Sequence, residues 1–365
     1  MSVKIIHAAD FHLDSPFDAL PDSKAILRRQ ELRQQLLRLS ELISQQGAEL
    51  VLLSGDLFDS SLSYHETCET LLQVLSGISA QIFISPGNHD YYCPKSPYHH
   101  LRFPENVHIF SSPTPSGVLL PELGVKVWGA GFNASLCPPL LRGFSVPEAD
   151  RAYINIMVLH GALGGETYNP ITEQEIAESG LDYLALGHVH TFSGIQRAGD
   201  TFYAYPGCIE GRGFDETGPK GVISGSISKG SCALQFLPIN LRAYRAVTVD
   251  LTGKSDLLAA VRAAAEGDGR DIIKLVLTGE YSGKIDDEQL CASLADRFFH
   301  VKIQNRTVLP RDIWDSLEED TLKGIFLQKM RTAYSEETDA EQRDQIMSAI
   351  RYGLAALENR EEWIS

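Results

Sequence analysis

The sequence predicts an α/β protein with a two-layer β core flanked by helices, a small α/β cap domain and a C-terminal helical tail. Three observations carry that prediction. Over the first two thirds, short β-rich apolar runs alternate with amphipathic helical stretches, the pattern of helices covering a sheet buried on both faces. The later apolar runs come closer together, separated by Gly and polar turns, which points to antiparallel pairing or to a second layer. After the first 245 residues comes a compact βαβαβ pattern, and from Pro310 onward strand signals are absent. At roughly 150 residues per domain, a chain of 365 residues fits two domains, or one large domain with an appendage.

Strands are expected at 3–8, 49–54, 81–85, 126–130, 154–159, 183–186, 202–205, 221–227 and 232–237. Between the first two, residues 25–46 form a helix. Ile26, Leu27, Leu32, Leu36, Leu39, Leu42 and Ile43 recur at three- and four-residue spacing, and Gly47 ends the run. The cap then reads as strand 246–250, helix 255–266, strand 272–278, helix 286–297 and strand 299–304, with Asp268-Gly269 as a tight connection. Two helices follow, 313–331 and 339–358, separated by the polar break 335–338. The domain division expected is therefore 1–240, 241–305 and 306–365.

With 43% hydrophobic residues the chain has the material for a sizeable core. Its 32 Lys and Arg against 48 Asp and Glu give a net charge of −16, which excludes a generally basic surface tracking a phosphate backbone. The apolar run before Asp10 is too short for a signal peptide, and nowhere do about 18 apolar residues follow one another, so no membrane association is expected. Six scattered cysteines without a C-x-x-C pair indicate neither a zinc ribbon nor a disulfide framework. A cytoplasmic location with reduced thiols is the expectation.

Five short segments stand at the C-terminal ends of predicted strands, where α/β folds place functional loops. They are Asp10-Phe11-His12, Gly55-Asp56-Leu57-Phe58-Asp59, Gly87-Asn88-His89-Asp90, His160-Gly161 and Gly187-His188-Val189-His190. Any one alone reads as a turn or a strand cap. Together they supply carboxylate, imidazole and amide oxygen with no thiolate, a donor set suited to divalent manganese, iron, zinc or magnesium. Asp10, His12, Asp56, Asn88, His160, His188 and His190 exceed the needs of one ion and make sense as two sites sharing a carboxylate. Two such ions clamp the attacking and leaving oxygens of a phosphoryl displacement and acidify water between them, so phosphate-ester hydrolysis is the implied reaction.

The order D-x-H, G-D-x-x-D, G-N-H-D, H-G, G-H-x-H is similar to that of the calcineurin-like metallophosphoesterase superfamily. The resemblance implies that Asp10, His12, Asp56 and His190 hold a first metal, that Asp56, Asn88, His160 and His188 hold a second, and that Asp56 bridges them. It implies a catalytic, non-ligand role for His89, stabilising the transition state and protonating the leaving oxygen. Protein phosphatases of the superfamily carry an Arg directly after the second motif and G-N-H-E in the third; here Ser60 follows Asp59, and Asp90 stands in place of the Glu. Segments 9–15 and 54–59 and the later Tyr205-Pro206-Gly207 resemble instead the SbcD-type DNA-repair exonucleases, particularly their YhaO-like relatives. That resemblance implies a manganese-dependent exonuclease acting on DNA, with single-strand endonuclease activity as a second option. It also implies a coiled-coil ATPase partner of the SbcC kind, gripped by the C-terminal helices with their Trp314, Phe326 and Met330.

Other readings stay open at this level. A small-molecule phosphodiesterase or nucleotide phosphatase would use the same site, and a non-catalytic scaffold subunit would hold no metal. The Gly-rich segment 205–221, with Arg212 and Lys220, is either a loop that contacts substrate phosphate or an ordinary hairpin. Asp59 stands where recombination nucleases often carry His, which leaves a substrate contact at that position open. Pairing of two copies is neither indicated nor excluded.

Overall fold

The apolar runs of the first 240 residues become two sheets in the computed structural model, which describes the chain except residues 61–62, 282–284, 309–313, 315–316, 318–319 and 358–365. In chain order the elements are β1 (Ser2–Ala8), α1 (Asp22–Gln46), β2 (Leu50–Leu53), α2 (His65–Ser76), β3 (Gln81–Ile84), α3 (Pro97–His100), β4 (Val107–Ile109), β5 (Ser116–Leu120), β6 (Val125–Gly129), β7 (Ile154–His160), α4 (Glu173–Glu178), β8 (Tyr183–Gly187), β9 (Gln196–Ala198), β10 (Thr201–Ala204), β11 (Gly221–Ser228) and β12 (Ser231–Pro238). One sheet has the order β12-β11-β1-β2-β3-β4, the other β5-β6-β7-β8-β10-β9. The fold class is thus the mixed α/β architecture the sequence predicts. Both expected behaviours of the later strands occur: β11 and β12 return antiparallel beside β1, while β6, β7, β8 and β10 form a parallel second layer.

Strand alternation explains the layering. Val3 and Ile5 of β1, Leu50 and Leu52 of β2 and Phe83 of β3 meet Val125, Val127, Ile156, Val158, Tyr183 and Ala185 of the other sheet in one buried layer. The intervening Met157, Leu159, Leu184 and Leu186 face the opposite way, into a cluster with Trp128, Leu141 and Ile176. His7 falls on the inter-sheet face, fully buried, and is satisfied there: Nδ1 lies 2.9 Å from the Tyr183 hydroxyl and Nε2 3.1 Å from Ser54 Oγ.

Several expectations are corrected. The strands β4, β5 and β9 lie at the edges of their sheets and are partly exposed, so they lack the apolar run that marks the inner strands in sequence. The buried stripe of α1 is Ala25, Arg28, Leu32, Gln35, Leu36, Leu39 and Ile43, whereas Ile26 and Leu27 are about half exposed, at 50% and 46%. Gly47 does end the helix, in the left-handed conformation at φ +59°, with Ala48 N–H donating to the Ile43 carbonyl.

The chain divides into two units, Met1–Arg245 with Arg270–Ile272, and Ala246–Gly269 with the chain from Ile273 onward. The second holds a three-stranded sheet in the order β13 (Tyr244–Asp250), β14 (Ile272–Thr278), β15 (His300–Asn305), with α5 (Leu257–Ala264) and α6 (Asp287–Ser293) between the strands. Its core centres on Val261, Ile273, Leu275, Leu277 and Leu294. The tail helices are α7 (Leu322–Glu336) and α8 (Ala340–Leu357), held by Leu327, Ile350 and Leu354. The first therefore starts nine residues later than the apolar pattern predicts, and the break falls at 337–339 rather than 335–338; Ile313, the expected start, lies outside the described residues.

Candidate metal centre

All five motifs leave their strands at the same edge of the two sheets. Beyond β1 and β2 the chains stay zipped together: Asp10 N–H donates to the Gly55 carbonyl at 3.1 Å, His12 N–H to the Asp56 carbonyl at 2.9 Å and Leu13 N–H to the Leu57 carbonyl at 2.8 Å. On the other sheet Gly161 N–H donates to the Gly187 carbonyl at 3.1 Å. Ser54 joins the two layers, its hydroxyl donating to the Ala185 carbonyl at 3.1 Å and its own carbonyl accepting from His160 Nδ1 at 2.9 Å. The closeness of this joint requires Gly187, where a Cβ would collide with the Ser54 carbonyl. Gly87 is constrained likewise, because a Cβ there would strike the Asp56 carboxylate.

The structure brings Asp10, His12, Asp56, Asn88, His89, His160, His188 and His190 together. Asp56 Oδ1 is fixed by His89 N–H at 3.0 Å, which leaves Oδ2 pointing between two sets of acceptors, 3.7 Å from His12 Nε2 and 3.4 Å from His160 Nε2. On one side His12 Nε2 and His190 Nε2 face each other at 3.2 Å, with Asp10 Oδ1 3.9 Å from His190 Nε2. On the other, Asn88 Oδ1 lies 2.9 Å from His160 Nε2 and 3.2 Å from His188 Nδ1. Asp10 accepts the His188 N–H on both oxygens at 3.0 Å. Three overlapping groups have ligand atoms close enough to share an ion: Asp10–His12–His190, His12–Asp56–His89 and Asp10–Asp56–His160. His89 thus sits within reach of a cation, although its Nδ1 is turned to the Asp59 carbonyl at 3.0 Å.

The donor chemistry fits divalent cations. His160 gives its Nδ1 proton to a carbonyl, so its Nε2 presents a lone pair to Asn88 Oδ1 and Asp56 Oδ2, which are themselves acceptors. Electron pairs converge there with no proton among them. Burial, reinforced by Asp56, raises Asp10 well above the usual carboxylate range, and burial raises Asp56 too. Two carboxyls that resist ionising side by side are stabilised by positive charge between them. Burial lowers His160 and His188 to about 4, so both rings are in the neutral form that binds metals.

Residues outside the motifs' ligand positions hold this arrangement. Asp90 is buried and accepts from the backbone of Leu57, Phe58 and Gly87 and from Tyr98 Oη, tying the second and third motif loops together. Tyr98 belongs to the segment 95–102, in which Ser96, Pro97 and Tyr98 are buried while Lys95, His99, His100 and Arg102 are exposed. Asn169, at φ +53°, donates to the His160 carbonyl at 2.7 Å, and the Tyr205 hydroxyl donates to the Gly161 carbonyl at 2.8 Å. Lys220 is buried, its Nζ donating to the His190 carbonyl at 2.6 Å, so it is committed to the protein and not free for substrate. Sequence reasoning missed Asn169 and, closest to the ligands, Glu216, whose Oε1 accepts from His190 Nδ1 at 2.7 Å. Its only sequence signal is its place in a Gly-rich segment that also carries Arg212.

A sheet-edge cluster of carboxylates, histidines and one asparagine, with ligand atoms close enough to hold divalent ions beside an exposed histidine, is the arrangement that metal-dependent phosphoester hydrolysis requires. The chain belongs to the calcineurin-like phosphoesterase family, whose sequence profile matches residues 3–192. It is also similar to a Bacillus subtilis (strain 168) protein named "Uncharacterized metallophosphoesterase YhaO", with 29% identity over 273 residues. The match covers 70% of this chain and 64% of that protein, so the chain spans just under two thirds of its relative's length. Among the described residues no helix is long and apolar enough to cross a membrane.

Proposed function

We propose that the protein is a dinuclear metal phosphodiesterase that hydrolyses DNA phosphodiester bonds, as an exonuclease on duplex ends and also as an endonuclease on single strands, in DNA repair. The observation that carries the two-metal reading is the position of Asp56 Oδ2 between the His12–His190 pair and the His160–Asn88 pair. Asp10, His12, Asp56 and His190 are assigned to one ion, and Asp56, Asn88, His160 and His188 to the other. Manganese suits this mixture of hard oxygen and imidazole donors. When bound, the ions neutralise phosphate charge and acidify water.

His89 is the proposed acid. Its Nδ1 proton is committed to the Asp59 carbonyl, so Nε2 is the atom that gives a proton to the departing sugar oxygen. The DNA assignment rests on the resemblance of segments 9–15, 54–59 and 205–207 to SbcD-type exonucleases. We extend that reading to an SbcC-like coiled-coil ATPase partner bound by α7 and α8, which expose Leu322, Ile325, Tyr352 and Leu357. Deleting the chain beyond about Val308 should abolish partner binding and leave nuclease activity intact.

The deciding experiment assays end-labelled duplex DNA and an aryl phosphodiester side by side with manganese. Release of nucleotides from the duplex supports the proposal. Turnover of the aryl ester alone would move the substrate to small phosphodiesters, and an absence of metal by elemental analysis would sink the enzyme reading.

A further inference from the structure

We propose that Arg212 and Glu216 form a positioning pair that fixes both imidazoles of one metal position, His12 and His190, in the tautomer and direction a cation requires. This rests on the dinuclear reading above and assigns a task to residues outside the family's motifs.

The observation is a closed ring of five side chains. His12 Nδ1 lies 3.0 Å from Asp59 Oδ1, and Arg212 Nη1 donates to that same oxygen at 3.0 Å. Arg212 Nη2 donates to Glu216 Oε1 at 2.7 Å, which also lies 2.7 Å from His190 Nδ1. The ring closes where His190 Nε2 meets His12 Nε2 at 3.2 Å. Four separate segments contribute: the loops after β1, β2 and β8, and the Gly-rich segment before β11.

Hydrogen-bond logic gives the ring its meaning. A guanidinium only donates, so the oxygens of Asp59 and Glu216 that face it are acceptors. Both Nδ1 atoms must then carry the protons, and both Nε2 atoms are left as lone pairs aimed at one point. Arg212 Nη2 also comes within 3.2 Å of His190 Nδ1, where the two N–H groups share Glu216 Oε1. A carboxylate behind a ligating imidazole fixes its orientation and raises its basicity. The two carboxylates here are spaced by one planar fork, which a lysine ammonium cannot reproduce. Although burial opposes it, hydrogen bonds from His190 and Arg212 hold Glu216 far below the usual carboxylate range.

The segment bearing the pair is itself fixed. Arg212 N–H donates to Glu216 Oε2 at 2.8 Å, and Lys220 Nζ holds the His190 carbonyl, so His190 is gripped at ring and backbone by one stretch of chain. Gly207, at φ +79°, permits that approach, since a Cβ there would lie 3.1 Å from the His190 carbonyl oxygen.

The test is a manganese titration of metal-stripped protein by calorimetry, with bound metal counted by elemental analysis, for the wild type, Glu216→Gln, Arg212→Lys and the double variant. The wild type should bind two ions. Each single variant should bind one ion as the wild type does and the other about 10- to 100-fold more weakly. The double variant should be little worse than the weaker single one, because the residues act as a unit. Unchanged affinity for both ions in the variants overturns the proposal, and so does equal weakening of both, which marks a general loss of fold or charge. A wild type that fails to bind two ions would instead overturn the dinuclear reading itself.

Discussion

Four residues at the centre hold a backbone that most side chains avoid: Asp10 at φ +53°, His12 at +46°, Asp56 at +50° and His188 at +108°. Each such conformation costs on the order of 1–3 kcal/mol and persists only where its surroundings over-determine it. Here the surroundings are the zipped loops beyond β1 and β2 and the Asp10 carboxylate beneath the His188 amide. Asp14, Phe17, Tyr168 and Asn169 also have positive φ, but His89, which is exposed and held by single bonds on either side, does not. His89→Ala should therefore slow turnover by about 10²–10⁴-fold while leaving metal content at two ions per chain; loss of metal in that variant would show that the ring is a ligand. The candidate ligands were legible because each stands at the end of an apolar strand or within four residues beyond it. Glu216 and the side chain of Asp59 were not, because their task is defined only by imidazoles distant in sequence, and neither spacing nor composition records which nitrogen of a ring faces outward.

At the scale of elements, the segment between β10 and β11 depends on α1. Arg28, fully buried, donates from Nη2 to Glu210 Oε2 and from Nη1 to Glu31 Oε2, both at 2.6 Å. Gln35 and the Leu241 amide hold the other oxygen of Glu210, and Arg242 pairs with Glu31 at 2.6 Å. The helix thus uses its buried face to anchor the chain that carries Arg212 and Glu216. Arg28→Leu should destabilise the protein by about 3–5 kcal/mol, measured by urea unfolding, because it leaves the buried Glu210 carboxylate without its cation; a change below about 1 kcal/mol would show that water replaces the pair. Reading α1 by its apolar residues alone put Ile26 and Leu27 inside. Burial follows the angular positions of residues 28, 32, 35, 36, 39 and 43, two of which are polar and enter only because partners elsewhere in the chain satisfy them. The late start of α7 has a similar lesson: apolar spacing before Leu322 marks residues such as Trp314 and Leu317 that pack beside the hairpin without joining its first helix.

For the whole molecule, charge and protonation set the working conditions. A net charge of −16 means that metal-free protein should bind duplex DNA weakly, with affinity falling steeply as salt rises; tight binding without divalent ions, measured by fluorescence anisotropy, would contradict that expectation. His7 sits between the sheets, and burial lowers it to about 3 from an ordinary 6.5. Between those values the unfolded chain takes up a proton that the folded one refuses, so stability is intact above pH 6.5 and falls as pH drops toward 3. Urea midpoints across that range should fall with acid in the wild type and fall less in His7→Gln. The layered fold itself was legible because buried apolar runs mark its inner strands, whereas β4, β5 and β9, at the sheet edges and partly exposed, offered no such run.

The Ser54 joint has one more consequence. Its carbonyl accepts from His160, its hydroxyl reaches the opposite sheet, and the ligand atoms on either side of Asp56 come from both layers, so the metal centre works as a latch across the seam of the sandwich. Whatever fills the latch must be released before the layers can part. Saturation at about 100 times the dissociation constant should add about 2.7 kcal/mol of resistance to unfolding for each ion bound, and a chelator should lower the melting temperature accordingly. A melting curve, with no substrate present, then reports whether the centre is loaded.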